Sequence, residues 1–157
     1  MMDDEDRFLR TAIDLARENV AQGGRPFGAV VVKDGAVIAT GVNEILATND
    51  PTAHAELGAI RAASRRLASP DLSGCVVYAS GQPCPMCMAA MRMAGVTAVA
   101  FAYSNADGEP FGLSTEGVRR ELALPFAEQS MRIRHAPVAG AEAPEIYAGW
   151  RRLISAR

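Results

Sequence analysis

Two apolar runs joined by Asp34-Gly35 constrain the fold of this chain more than any other feature. Residues 26–33 (PFGAVVVK) form the first run and residues 36–43 (AVIATGVN) the second. An Asp-Gly pair between such runs is a strong β-hairpin signal, because the turn needs positive φ angles at both positions. We therefore expect an antiparallel pair of strands. Gly41 within the second strand indicates a bulge or a close approach of another backbone.

Helices and strands alternate along the rest of the chain. We expect helices at residues 3–21, 53–67, 85–94, 115–124 and 143–154, and further strands at residues 75–80, 97–103 and 130–135. Residues 45–52 and 104–115 are expected to be loops. This order predicts one α/β domain over residues 1–157, in which a mixed, five-stranded sheet is covered by helices on both faces.

Length, charge and cysteine content exclude several classes of protein. A chain of 157 residues can bury a full core. Its net charge of −2 argues against the basic surface that is typical of a nucleic-acid-binding protein. The acidic start (MMDDEDRFLR) has no apolar segment of a signal peptide, and no apolar run has membrane-spanning length. Three cysteines, two of them spaced as CxxC, argue against a disulfide framework and favour a reducing cytoplasm.

Four residues in two short motifs form a set that can bind a metal and move protons. His54 and Glu56 lie in TAHAE, and Cys84 and Cys87 lie in PCPMC. Zinc prefers imidazole and thiolate ligands, and a catalytic site keeps one of four positions for water. His54, Cys84 and Cys87 supply three ligands, and a fourth is not apparent. Glu56 is then free to transfer protons, so we expect hydrolytic deamination of an amidine-like carbon in a heterocycle.

Two other interpretations of the CxxC motif explain less of the sequence. A redox pair would leave His54 and Glu56 without a role. A closed structural zinc site needs a fourth protein ligand. Cys75 heads an apolar run and fits a small buried hydrophobic residue better than a ligand.

Three stretches of the chain resemble the cytidine deaminase superfamily, and within it the small bacterial guanine deaminases. They are PFGAVVVKDG (26–35), NDPTAHAE (49–56) and PCPMC (83–87), and the resemblance extends over nearly the whole chain. It implies a three-layer α/β/α sandwich, a homodimer, one Zn²⁺ per chain and a small heterocyclic base as substrate. It also implies that His54, Cys84 and Cys87 bind the zinc and that Glu56 shuttles protons.

The same resemblance implies three contacts with the substrate. Asn43 matches an asparagine that hydrogen-bonds the substrate ring, and Phe27 matches an aromatic residue beside the base. The backbone of Ala55 matches a further contact. Asparagine carries both a donor and an acceptor, which suits a ring edge that presents both.

The chain departs from the guanine deaminase pattern at three places. Met93 stands where those enzymes have Trp, and Gly81-Gln82 replaces a Cys-Glu pair. Ser114 stands where a carboxylate reads guanine, which bears on specificity because discrimination of polar substrates depends on paired groups. Acidic residues near enough to substitute are Asp107, Glu109 and Glu116.

Guanine is the leading substrate, and several alternatives stay open. Cytosine or another pyrimidine, an aminotriazine and a pterin all suit the same chemistry. A tRNA adenosine deaminase has a similar motif pair but needs a basic surface for its RNA, which the net charge of −2 argues against. From a different class, the chain could be an inactive, zinc-stabilised binding protein, although Glu56 would then have no use. The last helix, around Tyr147 and Trp150, is a candidate for contact with a neighbouring subunit.

Overall fold

The computed structural model describes residues 3–141 and 143–157, so the first two residues of the acidic start lie outside it. The helices are α1 (Asp4–Ala21), α2 (Ile45–Thr48), α3 (Ala55–Leu67), α4 (Pro85–Met93), α5 (Asn105–Gly108), α6 (Glu116–Leu122) and α7 (Glu145–Ser155). The strands are β1 (Gly28–Lys33), β2 (Ala36–Val42), β3 (Cys75–Gly81) and β4 (Ala98–Tyr103), and two 3-10 turns cover Glu109–Phe111 and Phe126–Glu128.

The chain divides into two compact units. The first ends at Arg120, and the second runs from Glu121 to Arg157. All four strands belong to the first unit. In the second, α7 exposes a row of large apolar side chains, Ile146, Tyr147, Trp150, Leu153 and Ile154. None of the described helices combines the length and the apolar character that crossing a membrane requires.

The predicted hairpin is confirmed. Asp34 and Gly35 have φ angles of 50° and 75°, as a tight turn between twisted strands requires. The pairing of β1 with β2 shifts register between Val31 and Val32, so the bulge lies away from Gly41. Gly41 instead marks a close approach, since a Cβ there would lie 2.2 Å from the carbonyl oxygen of Ala55.

The sheet is mixed, as expected, but it has four strands in the order β2-β1-β3-β4. β1 pairs antiparallel with β2 and β3, whereas β3 and β4 are parallel. The prediction of a fifth strand at residues 130–135 was wrong, because these residues form bends and irregular chain. Their alternation of apolar and basic side chains suits a strand, but a strand also needs a partner for its backbone hydrogen bonds.

Helices cover both faces of the sheet, which gives the three expected layers. On one face, Phe8 of α1 packs with Val30 and Val32. On the other, Ala29 and Val31 join one core with residues of α3 and α4, among them Ala55, Ala59, Ala63, Cys87 and Met91. Alternate residues of β1 therefore supply the two cores, as the two-residue period of a strand dictates.

The register brings four chain segments to one end of the sheet. Gly28, at the start of β1, pairs with Val42 at the end of β2. Because β1 is antiparallel to β3, the end of β3 lies beside the start of β1, and the parallel strand β4 ends there too. Phe27, Asn43, Gln82 and Ser104 directly adjoin these strand ends, and the candidate site is built around them.

Candidate active site

Two helix N-termini hold the predicted zinc ligands. His54 is the N-cap of α3 in an extended conformation, not part of the first turn as the sequence suggested. Cys84 is the N-cap of α4, where its Sγ accepts a hydrogen bond from the backbone N–H of Cys87 at 3.4 Å. Pro85 follows at the first helical position, where a missing N–H costs nothing. Backbone N–H groups at such ends favour thiolates.

The three ligand atoms fit a zinc ion. His54 Nδ1 lies 3.4 Å from Cys84 Sγ and 3.6 Å from Cys87 Sγ, and all three atoms lie within 4.8 Å of one another. A tetrahedral zinc with bonds of about 2.3 Å to sulfur and about 2.0 Å to nitrogen separates its ligand atoms by about 3.5–3.8 Å. Among the described residues, this is the one such group of histidine, cysteine and acidic side chains.

The pKa values of the cysteines follow from their mutual hydrogen bond. Interaction with the side chain of Cys87 lowers the pKa of Cys84 to about 4, and the same interaction raises the pKa of Cys87. A lowered pKa favours the thiolate form of Cys84, which is the form that binds metals. The hydrogen bond with Cys84 also raises the pKa of His54, while the positive charge of Arg25 acts in the opposite sense.

Glu56 lies in the first turn of α3, next to the ligand cluster. Its side chain is only 5% exposed, and Oε2 lies 3.4 Å from Cys87 Sγ. Burial raises the pKa of the Glu56 carboxyl. A buried carboxyl group with a raised pKa, next to candidate metal ligands, is suited to accept and return a proton.

A cavity of about 130 Å³ opens onto the cluster. It is lined by Arg25, Phe27, Asn43, His54, Glu56, Gln82, Cys84, Gly112, Leu113, Ser114 and Thr115. Asn43 is 4% exposed, and its Oδ1 accepts from the N–H of Ile45 at 3.2 Å. The Nδ2 of Asn43 has no hydrogen-bond partner within the described part of the chain, so it can donate to a bound molecule.

Hydrogen bonds tie the loop of residues 104–115 to the metal-binding segment. Gln82 Oε1 accepts from the N–H of Asn105 at 2.9 Å. The side-chain oxygen of Asn105 accepts from the backbone and hydroxyl of Thr115, at 3.2 and 3.4 Å. The loop is partly helical, contrary to expectation, because Ser104 and Asp107 form a reciprocal capping box that starts α5.

The structure separates the predicted substrate residues into two groups. Phe27, Asn43 and Ser114 line the cavity, whereas Asp107 and Glu109 do not. Asp107 is committed to the cap of α5, where Ser104 lowers the pKa of its carboxyl. Ala55 is fully buried and does not line the cavity with its side chain. Met93 is 89% exposed and also lies outside the lining.

Sequence reasoning missed several residues of the cavity. Arg25 sits in the turn before β1, and a lone arginine in a turn carries no signal of its own. Leu113 and Thr115 fall in the segment that was expected to be an irregular loop. Gln82 could have been found, because it stands two residues before Cys84 at the end of β3.

Comparison with known proteins gives concordant results for sequence and structure. Residues 2–103 match the family described as the cytidine and deoxycytidylate deaminase zinc-binding region. A guanine deaminase of Bacillus subtilis is 44% identical over 125 residues, which cover 79% of this chain and 80% of the relative. A tRNA-specific adenosine deaminase of Aquifex aeolicus is 39% identical over 94 residues, covering 60% and 62%.

A solved structure of guanine deaminase from Bacillus subtilis superposes with a TM-score of 0.87 at 38% sequence identity. The match covers 94% of this chain and 93% of that one. The likeness therefore extends well beyond the motif-bearing segments.

Proposed function

Because the chain belongs to the cytidine and deoxycytidylate deaminase family, whose members bind zinc, we propose that it deaminates guanine to xanthine and ammonia. The chain is a zinc-dependent hydrolytic deaminase. The observation that carries the proposal is the grouping of His54, Cys84 and Cys87 beside the buried carboxyl of Glu56, next to a cavity of about 130 Å³ that His54, Cys84 and Glu56 help to line.

The proposed reaction needs a nucleophile, a proton carrier and a site for the ring. His54, Cys84 and Cys87 would hold a zinc ion, which would supply an activated water molecule when bound. Glu56 would take one proton from the attacking water and return it to the ring nitrogen next to the attacked carbon. A second transfer through Glu56 converts the amino group into ammonia, so that water and the amino-heterocycle give the oxo-heterocycle and ammonia.

The name of a similar protein and the residues that line the cavity both support guanine as the substrate. The similar Bacillus subtilis protein is named a guanine deaminase, and the likeness spans most of both chains. We propose that the amide of Asn43 hydrogen-bonds the ring and that Phe27 packs beside it, as the sequence resemblance implied. The backbone of Ala55 stays a proposed contact, and Ser114 is the proposed polar group where relatives place a carboxylate.

We further propose that the whole chain acts as one deaminase domain in a cytoplasmic homodimer. The apolar row on α7 and the reduced cysteines support this arrangement. Sedimentation velocity at micromolar concentration tests the dimer, and a monomer throughout would contradict it.

The test of the proposed substrate is an ammonia-release screen of purified, zinc-loaded protein. Guanine, adenine, cytosine, pterin and an aminotriazine are compared, with hypoxanthine as a control that lacks the reacting amino group. We expect guanine to give the highest kcat/KM among these bases. Deamination of adenosine in a tRNA, without deamination of any of the free bases, would overturn the proposal.

A further inference from the structure

We propose that Arg25 binds a negatively charged group at the outer end of the substrate, so that the site prefers an amino-oxo heterocycle with an acidic substituent there over the neutral ring. This inference rests on the proposed function, because it assumes that the amino-bearing carbon of the heterocycle lies at the zinc ligands. The residues that line the rest of the cavity then determine which chemical class of heterocycle is preferred as substrate.

Arg25 brings an unneutralised positive charge to the cavity. The residue is exposed, yet it lines the same cavity as His54 and Glu56. Within residues 3–141 and 143–157, its guanidinium has neither a hydrogen bond nor an ion pair. A guanidinium presents a planar fork of five N–H donors that matches a carboxylate, and an unpaired one at a cavity mouth is available for it.

The backbone of Arg25 is fixed to the backbone of the proposed ring-binding residue. The side chain of Asn19, 9% exposed, donates from Nδ2 to the carbonyl of Arg25 at 2.7 Å and to the carbonyl of Asn43 at 2.9 Å. The N–H of Phe27 also donates to the Arg25 carbonyl at 2.8 Å. The buried amide of Asn19 therefore fixes the backbone of Arg25 relative to the backbone of Asn43.

The other polar groups of the outer cavity also favour an electron-rich partner. Gln82 lines the cavity, and its Oε1 is occupied by the N–H of Asn105, so its NH₂ group is the part that can still bond a ligand. Ser114 Oγ accepts from the N–H of Glu116 at 3.2 Å, so its hydroxyl proton is free to be donated. With the free NH₂ of Asn43, these groups form a lining richer in donors than in acceptors.

Acidic side chains that could cancel this charge are committed elsewhere. Asp107 caps α5, and Glu116 binds Arg119 and Arg120 at 2.5 and 3.3 Å. Neither lines the cavity, so Glu56 is the one carboxyl among the lining residues, and it lies deep, next to Cys87. The inner cavity therefore carries the proton-transfer group and the outer cavity a net positive charge.

The experiment compares two enzymes on two substrates. Pterin and pterin-6-carboxylate share the reacting 2-amino group and differ by a carboxylate at the far end of the ring system. Both are assayed with the zinc-loaded protein and with Arg25→Gln, while Arg66→Gln, an exposed arginine outside the cavity lining, serves as the matched control. The readout is the ratio of kcat/KM for the carboxylate to kcat/KM for pterin.

We expect this ratio to fall about five- to tenfold in Arg25→Gln and to stay constant in Arg66→Gln. That size lies between a charge-assisted hydrogen bond and a solvent-screened ion pair. The preference of the unsubstituted protein should also shrink with added salt, because Arg25 is exposed. A ratio below one in the unsubstituted protein, or a ratio that Arg25→Gln changes by less than twofold, would overturn the proposal.

A binding measurement separates failure of this inference from failure of the proposed function. The deaminated products, lumazine and lumazine-6-carboxylate, are fluorescent, and their Kd values need no turnover. Tighter binding of the carboxylate that is lost in Arg25→Gln supports the role of Arg25 even if guanine is not deaminated. Equal Kd values for the two products, in a protein that does deaminate guanine, refute the role of Arg25 alone.

Discussion

Glu56 occupies a costly position for an acidic side chain. It is 5% exposed, and no cation pairs with it within the described residues. Burying an unpaired carboxylate is unfavourable, and the group responds by holding its proton to higher pH. A buried carboxyl with a raised pKa beside three candidate metal ligands supports the proposed role of Glu56 in proton transfer.

Replacing Glu56 by Gln should abolish catalysis without disturbing the metal. The amide has nearly the same shape but cannot carry the proton, so we expect kcat to fall by about 10²- to 10⁴-fold. Zinc content should stay at one ion per chain, because His54, Cys84 and Cys87 are unchanged. Ammonia release and metal analysis on the same preparation provide the measurement. Normal turnover by Glu56→Gln would remove the carboxyl from the mechanism.

Individual residues of the site differ in how far the sequence could predict them. The candidate ligands and the candidate proton carrier could be predicted from two signals, the spacing of His54 and Glu56 and the CxxC motif of Cys84 and Cys87. The type and number of the ligands limit the possible chemistry. In the structure these four side chains lie close together, and their roles stay a prediction. Arg25 was not predictable, since its position depends on the tertiary hydrogen bonds of Asn19.

At the scale of elements, the position of α3 on β2 decides where His54 and Glu56 lie. The helix and strand approach closely at Gly41, where an added Cβ would meet two backbone atoms of α3, the Ala55 oxygen at 2.2 Å and the Ala59 nitrogen at 2.6 Å. Backbone atoms cannot rotate away as a side chain can. Any side chain at Gly41 must therefore displace the start of the helix that carries the site.

Gly41→Ala should weaken both stability and the site. Overpacking a close contact lowers the free energy of unfolding by about 1–3 kcal/mol. Because His54 begins the displaced helix α3, the site should also bind zinc less tightly. Gly58→Ala is the matched control from the opposite side of the contact, since its Cβ would meet only the Gly41 Cα at 3.9 Å. That variant should be neutral or gain up to about 1 kcal/mol of helix stability.

Urea denaturation and a competitive zinc-chelator titration measure the two effects for each variant. Equal denaturation midpoints for Gly41→Ala and the unsubstituted chain would show that the helix can yield at this contact without cost.

Elements with a strong local signal were predictable, and those that depend on distant partners were not. The start of α1, the hairpin at Asp34-Gly35 and the α4 helix follow from local chemistry. Residues 130–135 had the alternation of a strand but form none, because alternation does not provide a free sheet edge. The 104–115 loop gained α5 from a capping box that the sequence contains, Ser104 with Asp107 three residues later.

At the scale of the whole molecule, the proposed metal site would also be a structural link within the first unit. His54 begins α3, and Cys84 and Cys87 begin α4, so one ion bound by all three would join two helices that pack on the same face of the sheet. Without it, two buried sulfurs and an imidazole must be accommodated by hydrogen bonds alone. Metal binding to the folded state alone adds stability by mass action.

Removing zinc should therefore lower the thermal stability of the protein. An ion present at about a thousand times its Kd contributes about 4 kcal/mol, and each kcal/mol shifts the Tm by about 2–4 °C at this chain length. We expect the Tm to fall by about 10 °C in excess chelator. Cys84→Ala should show a similarly low Tm that the chelator does not change further.

Cys75→Ala is the control for this experiment, because Cys75 is buried at the start of β3 and outside the ligand group. It should lose a little core packing, keep one zinc per chain and still respond to the chelator. Calorimetry with parallel metal analysis tests each expectation. A Tm unaffected by complete zinc removal would mean that the two helix starts hold their geometry without the ion, and the metal would then serve the chemistry alone.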